Sequence, residues 1–497
     1  MTASEEPPAR SDERGALASR TTSAYLPPMI CAPSDSFLDR LKAIVGPAGW
    51  TDDPEILAPR LVEWRDRWSG RTPLMLSPAS TEETAAIVRL CAAEGAPLVV
   101  QGGNTGLVGG QIPQGEILLS TRRMRAIRDV DPVDDVLVAE AGVTLAEVQA
   151  AADAAGRRFP LSLASEGSAT LGGVISTNAG GVAVLRFGTA RDLVLGLEAV
   201  LPSGEVWRGL RRLRKDNTGY DLRGLLSGAE GTLGVITAAS VKLFPRPAGR
   251  AVAMVAVESP QAALDLLSRA RRVADAGLEA FELMARQGVD FALRNIPGQR
   301  DPLTGGPPWR VLLELASPDS GGAARLMEDL LEEACSDRVA GEVVIAASDA
   351  QAAAFWSLRE NQSAAQKPEG ATWKHDISVP VSQVPAFIRL AGEAMAAFAP
   401  GCRISAFGHV GDGNIHFDVL RAEGGDDAAH LARRAEGQAR VHDIAISLGG
   451  SVSAEHGLGV MKADEARRQK DPTEVALLSA IRATLDPGRI LNPRVLF

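Results

Sequence analysis

The fifty glycines of this 497-residue chain are distributed unevenly, with dense clusters at 102–110, 167–181, 228–234 and 408–413. Glycine weakens helix and strand interiors but suits loops that must approach another backbone or a ligand closely. Whatever fold the chain adopts must hold these four loops on rigid elements. The first, QGGNTGLVGG (101–110), follows the apolar run PLVV. In such a loop, backbone N–H groups can reach a phosphate with no Cβ in the way. Neither GxGxxG nor a Walker A sequence is present, and no Gly-Lys dipeptide occurs. One loop alone fits plain turns as well as a phosphate site. A second long loop, SEGSATLGGVISTNAGGVAVLRFG (165–188), brings paired glycines with Ser, Thr and Asn donors. Together the two could clamp an extended pyrophosphate.

Length and charge narrow the classes. A chain this long exceeds one core, so two or three domains are expected. The net charge of −10 argues against nucleic acid or an anionic membrane as a general partner. Four dispersed cysteines, Cys31, Cys91, Cys335 and Cys402, give no CxxC and fit a reducing compartment, here the cytoplasm. No apolar run reaches the ~18 residues of a membrane span. Residues 1–36 mix acids, arginines and prolines and read as a disordered arm rather than a targeting segment.

Helix and strand signals alternate through 37–248. Ser80 with Glu83 and Thr144 with Glu147 are capping boxes, and Gly95 and Gly156 stop the helices they start. The strands PLVV and VLVAE flank them, so an α/β pattern is expected as far as VKLFPRP (241–247). Residues 249–452 read as strand–helix units, a helix at 382–398, a hairpin and a helix near 428–448. That pattern fits an α+β domain with one helix-covered antiparallel sheet. Residues 453–497 are expected to dock back on the first domain.

The hairpin sequence GHVGDGNIH (408–416) holds His409 and His416, two of only six histidines. Residues seven apart on one strand point to opposite faces, so the two imidazoles meet only if the chain reverses at VGDGN. A third ligand candidate is Glu455 in SAEHGLG (453–459), where His456 is its neighbour. Adjacent residues share one site only on irregular backbone. Two histidines and a carboxylate suit a divalent transition metal with open positions. Of the other histidines, His375 is read as structural, and His430 and His442 as solvated. The cation-rich run at 209–216 is read as a solvated loop.

The three motifs QGGNTGLVGG, GSATLGGVISTNAGG and SGAEGTLGVIT resemble the FAD-binding domain of the vanillyl-alcohol oxidase type. The resemblance implies FAD bound between two α/β subdomains, held by Gly102, Gly103, Asn104, Thr105, Gly106, Gly109, Ser168, Thr170, Gly172, Gly173, Asn178, Gly180 and Gly181. It places Glu230, Gly231 and Ile236 beside the flavin. The chain's first histidine is His375, and Cys91 falls in an expected helix, so the FAD is expected to be non-covalent.

FWSLRE, WKHDISVP, AFGHVGDGNIHFDVL, SAEHGLG and LDPGRILNP are similar, in this order, to the FAD-linked D-2-hydroxyacid dehydrogenases. That resemblance implies His409, His416 and Glu455 as metal ligands, with zinc first and manganese, iron and cobalt open. It implies His456 as catalytic base, Asn414 near flavin or substrate, and Arg359, Ser363 and Lys374 on a substrate carboxylate. The implied reaction is oxidation of a small anionic D-2-hydroxyacid to the 2-oxoacid, with hydride passing to flavin N5. D-2-hydroxyglutarate leads the substrates, and D-lactate, D-malate and glycolate are alternatives. A divalent cation lowers the pKa of a bound water from 15.7 to about 7. That drop is on the order of 12 kcal/mol, at 1.36 per unit, and an alcohol should gain in the same direction. The electron acceptor is expected to be an electron-transferring flavoprotein or a quinone, and a homodimer is compatible with the sequence. A metal hydrolase using the same His/His/Glu set is the competing class.

Overall fold

The computed structural model describes residues 33–496. Most of the arm expected at 1–36 lies outside them. Ser34, inside that stretch, caps a helix that starts at Asp35.

Three main sheets organise the chain. The first holds Trp50–Thr51, Met75–Leu76, Ile117–Ser120 and Leu98–Gln101 in that order. Ile117–Ser120 runs parallel to both neighbours. The preceding helix, Thr81–Glu94, begins as expected, with Ser80 Oγ accepting from the Glu83 N–H at 3.1 Å. The Glu83 carboxylate reaches the N–H of Ala79 rather than that of Ser80. The Thr144–Glu147 box is complete.

The second sheet departs from the α/β expectation. Its five strands, Ile127–Asp131, Val136–Glu140, Val235–Lys242, Val194–Val200 and Val206–Gly209, pair antiparallel throughout. The helices between them in sequence lie on its flank instead of forming crossovers. The loop at 102–110 leaves the first sheet after Gln101, and that at 228–234 enters the second at Val235.

The third sheet is eight-stranded. Its strand Gly249–Val257 shows why the sequence there is apolar at almost every position. Ala251, Ala253, Val255 and Val257 enter one core, while Val252, Met254 and Ala256 enter another on the opposite face. Period-two alternation is present, but both faces are covered. On the first face, helix Pro260–Ala274 buries Ala263, Leu266, Leu267 and Ala270 at helical spacing. On the second, helix Asp349–Glu360 buries Ala352, Phe355, Trp356 and Leu358.

The sheet also contains Leu278–Ala285, which the sequence reading did not single out. The helix expected near 428–448 is two helices, Asp427–Ala432 and Arg434–Ser447. His430 and His442 are buried, not solvated. His430 stacks on Trp373 with 4.0 Å between ring centroids, and its Nε2 bonds the Val419 carbonyl.

Two contacts lock this eight-stranded sheet, the cap, to the glycine-rich half. Arg158 and Arg186 both donate to the buried Glu279, at 2.8 and 2.6 Å. At the C-terminus, Leu491 pairs with Leu98, and Asn492 donates to the Glu230 carbonyl at 2.6 Å. Among the described residues no helix is long and apolar enough to cross a membrane.

Candidate active site

The first two glycine loops pack directly against each other. A Cβ on Gly103 would lie 2.0 Å from the Ser168 carbonyl oxygen, so any side chain there pushes the loops apart. Between them opens a cavity of about 870 Å3. Its wall includes Gly102, Gly103, Asn104, Thr105, Gly106, Ser168, Thr170, Gly172, Gly173, Gly180, Glu230, Gly231 and Ile236. Gly109, Asn178 and Gly181 are not in the wall. Gly109 packs against Trp68, Asn178 accepts from the Arg191 N–H, and Gly181 packs on Ser162. They shape the loops from behind.

This cavity suits a dinucleotide. The N–H groups of residues 102–106 find no acceptor among the described residues. Thr170 lines the cavity, and its hydroxyl is buried without a partner. Unsatisfied donors converging from two loops are what a pyrophosphate requires. Cys91 is buried in its helix, and burial pushes its thiol up to about 12, which leaves it inert. Gly103→Ala is expected to give protein that folds but purifies without flavin. The check is absorbance near 450 nm per mole of chain against wild type.

The hairpin forms as the sequence required. Arg403–Gly408 pairs antiparallel with Asn414–Leu420, placing Phe407 opposite His416. Gly413 turns at φ +88°, which few other residues tolerate. Asp412 accepts from the Asn414 N–H at 3.0 Å, an Asx turn. His409 and His416 then face each other, ring centroids 6.3 Å apart.

Glu455 closes the set from an irregular segment. Its carboxylate lies 3.2 Å from His409 Nε2 and 3.8 Å from His416 Nε2. Ligand atoms of the three residues lie within 4.8 Å of one another. Each imidazole presents Nε2 inward. The His409 Nδ1 is held by Glu282 at 2.6 Å, a carboxylate behind the histidine that fixes ring and tautomer. Burial alone would lower the His409 pKa, but Glu282 and Glu455 hold it well above the ordinary value. Against its own burial, Glu282 is kept at about 2 by His409 and Arg359.

Asp376 sits behind the neighbouring residue. It accepts from the N–H groups of Glu455 and His456 at 3.2 and 3.0 Å and from Asn414 Nδ2 at 3.1 Å. His456 Nδ1 lies 3.2 Å from the same carboxylate, and Lys462 3.6 Å. Despite full burial, His456 and Lys462 keep Asp376 ionised. Burial lowers the His456 imidazole to about 4, with Asp376 partly opposing. At neutral pH His456 is therefore uncharged, with Nδ1 beside the Asp376 carboxylate. His456 borders both the large cavity and a smaller one of about 150 Å3.

The smaller cavity also takes Arg359, Ser363, Lys374 and His416 in its wall. Arg359 donates to Glu282 at 2.7 Å. Lys374 donates to the Ser363 hydroxyl at 2.9 Å and to Asp418 at 3.1 Å. Asn414 borders neither cavity; its Nδ2 donates to Asp376, and its Oδ1 is buried without a partner. Sequence reasoning missed Asp376, Glu282 and Lys462. The one available signal was a pair of glutamates, Glu279 and Glu282, inside the apolar run LEAFELMA, where each breaks the strand pattern.

His375 is buried, with Nδ1 2.5 Å from the Phe417 carbonyl. Burial lowers its pKa to about 3, aided by His442. The folded state holds it neutral, while the unfolded chain takes a proton below about 6.5. Stability therefore falls as pH drops from about 6.5 toward 3, by up to about 1.4 kcal/mol per unit from this group. His375→Leu is expected to flatten that part of the Tm–pH profile, measured by thermal melts between pH 7 and 4.

The sequence matches two family models, the FAD binding domain over residues 73–209 and the C-terminal domain of FAD linked oxidases over 246–496. It is 35% identical to the mitochondrial D-2-hydroxyglutarate dehydrogenase of Arabidopsis thaliana, across 94% of this chain and 82% of that protein. The chain belongs to the FAD-linked D-2-hydroxyglutarate dehydrogenase family. Another relative at 35% identity is the D-2-hydroxyglutarate dehydrogenase of Xanthomonas citri pv. viticola, covering 88% of this chain and 91% of that one. In fold, this family member is similar to p-cresol methylhydroxylase with substrate bound, at TM-score 0.73 and 16% identity, over 93% of this chain and 97% of that one. It is an FAD-linked oxidoreductase with the vanillyl-alcohol-oxidase-type architecture.

Proposed function

We propose that the protein oxidises a D-2-hydroxyacid, D-2-hydroxyglutarate before D-lactate, D-malate or glycolate, with a divalent metal held by His409, His416 and Glu455. The observation that carries this reading is the convergence of two Nε2 atoms and one carboxylate beside His456, where the two cavities meet. Asp376, Glu455 and His456 also lie close enough to form a second set. Asp376 is already committed to two backbone N–H groups, the Asn414 amide and His456, which favours the first set. The donor chemistry fits zinc best, with manganese, iron or cobalt as alternatives.

A cation held by His409, His416 and Glu455 would make a hydroxyl it polarised more acidic, and FAD, held non-covalently by the glycine loops, would supply the hydride acceptor at N5. The chain's own residues do the rest. Neutral His456 takes the hydroxyl proton at Nε2, while Asp376 holds Nδ1 and stabilises the imidazolium that forms. Arg359 and Lys374 bring positive charge to the carboxylates, and Ser363 orients Lys374. Electrons leave to an electron-transferring flavoprotein or a quinone.

The deciding assay is a panel of D- and L-2-hydroxyacids with an artificial acceptor, with and without chelator. Turnover of D-2-hydroxyglutarate alone or fastest, lost on chelation and restored by added metal, is the expected result. A chelator-insensitive rate contradicts the metal's part in it. A colourless protein that refuses FAD would favour the hydrolase reading.

A further inference from the structure

The small cavity holds one more cation than these roles use. Its wall carries Arg65, Arg359, Lys374 and Lys462. Three of them have counter-ions: Arg359 has Glu282, Lys374 has Asp418, and Lys462 has Asp376. Arg65 has none. No described residue pairs with its guanidinium, and its Nε is buried without an acceptor. Arg65 is half-buried, and an Nε withdrawn from water with nothing to donate to is costly, a cost that an anion at the fork relieves.

Its placement narrows which anion. Arg65 belongs to the segment 61–70 of the FAD-binding half, yet its side chain borders a cavity built mainly by the cap. Lys367 of the cap lies over the Trp64 ring at 4.5 Å, pinning that segment across the junction. Burial lowers the Arg65 pKa, with Asp418, Glu63 and Asp376 partly offsetting it. The Arg65 charge in turn lowers the pKa of Lys374 and of Lys462, so all three look into one space. His416 and His456 line the same wall.

We propose that Arg65 receives the distal carboxylate of a dicarboxylic 2-hydroxyacid and so selects dicarboxylates over monocarboxylates. The inference rests on the 2-hydroxyacid reading of the site. A substrate whose hydroxyl and C1 carboxylate lie at His416 and His456 leaves its far end in the rest of the cavity. There an unpaired, planar fork can accept a carboxylate through two parallel N–H bonds. A monocarboxylate of equal length leaves the fork unsatisfied, which is how a buried polar group rejects an analogue.

The test compares D-2-hydroxyglutarate with D-2-hydroxyvalerate, which replaces the distal carboxylate by a methyl group, in wild type, Arg65→Met and Arg65→Lys. Arg65→Met is expected to lower kcat/KM for the dicarboxylate by about 30-fold or more, mostly through KM. The monocarboxylate should change by less than about 3-fold, and Arg65→Lys should recover part of the loss. Calorimetric titration of the FAD-loaded proteins with glutarate and with pentanoate gives a second readout that needs no turnover. Wild type should prefer glutarate, and Arg65→Met should not. An equal loss on both acids, or a glutarate preference that survives Arg65→Met, overturns the inference. Should wild type oxidise neither acid, the functional reading fails, while the titrations still judge Arg65 alone.

Discussion

Glu455→Gln is expected to lower kcat with D-2-hydroxyglutarate by about 10³-fold or more, because Lewis-acid assistance is worth several kcal/mol and each 1.36 is tenfold. The substitution keeps the shape and removes the carboxylate charge that faces both His409 Nε2 and His416 Nε2. The purified variant should stay yellow, since Glu455 is one residue in the wall of a cavity whose unpaired N–H groups belong to residues 102–106. Its metal content, measured by plasma emission, should drop below that of wild type. Wild-type metal content together with a wild-type rate would remove Glu455 from the ligand set.

His456→Gln is expected to lower kcat by about 10²–10⁴-fold, the usual range for a lost general base. Metal and flavin content should match wild type, which separates this variant from Glu455→Gln. The acidic limb of the kcat profile should disappear with the imidazole. Asp376→Asn should reproduce part of the loss, because the amide still bonds the backbone N–H groups of 455 and 456 but no longer stabilises a charged imidazolium. An unchanged rate in His456→Gln would leave the proton without a recipient.

Much of the site was legible in the sequence. The hairpin at 408–416 could be argued from turn chemistry alone, and the structure puts the two imidazoles across its mouth. The adjacency of Glu455 and His456 demanded irregular backbone, which is what 453–459 shows. The two loops can meet because Gly102 and Gly103 carry no Cβ where Thr170 and Ser168 of the second loop approach.

What was hidden depends on contacts between distant segments. Asp376 stands in a quoted motif, WKHDISVP, but nothing in its spacing tells that it will collect N–H groups from residues 455 and 456. Glu282 supports His409 and Arg359 from another strand of the same sheet. His430 and His442 lie in polar-looking helices, and only tertiary packing against Trp373 and His375 buries them. The antiparallel second sheet was likewise hidden, since alternating helix and strand signals do not state which strands will pair.

Anomalous diffraction from crystals of the FAD-loaded protein, collected at the absorption edge of the metal found in solution, addresses the account at its centre. One strong peak bonded to His409 Nε2, His416 Nε2 and a Glu455 oxygen, on the cavity side facing the flavin, is the predicted result. A map with no peak there, or with its peak at another set of side chains, contradicts it.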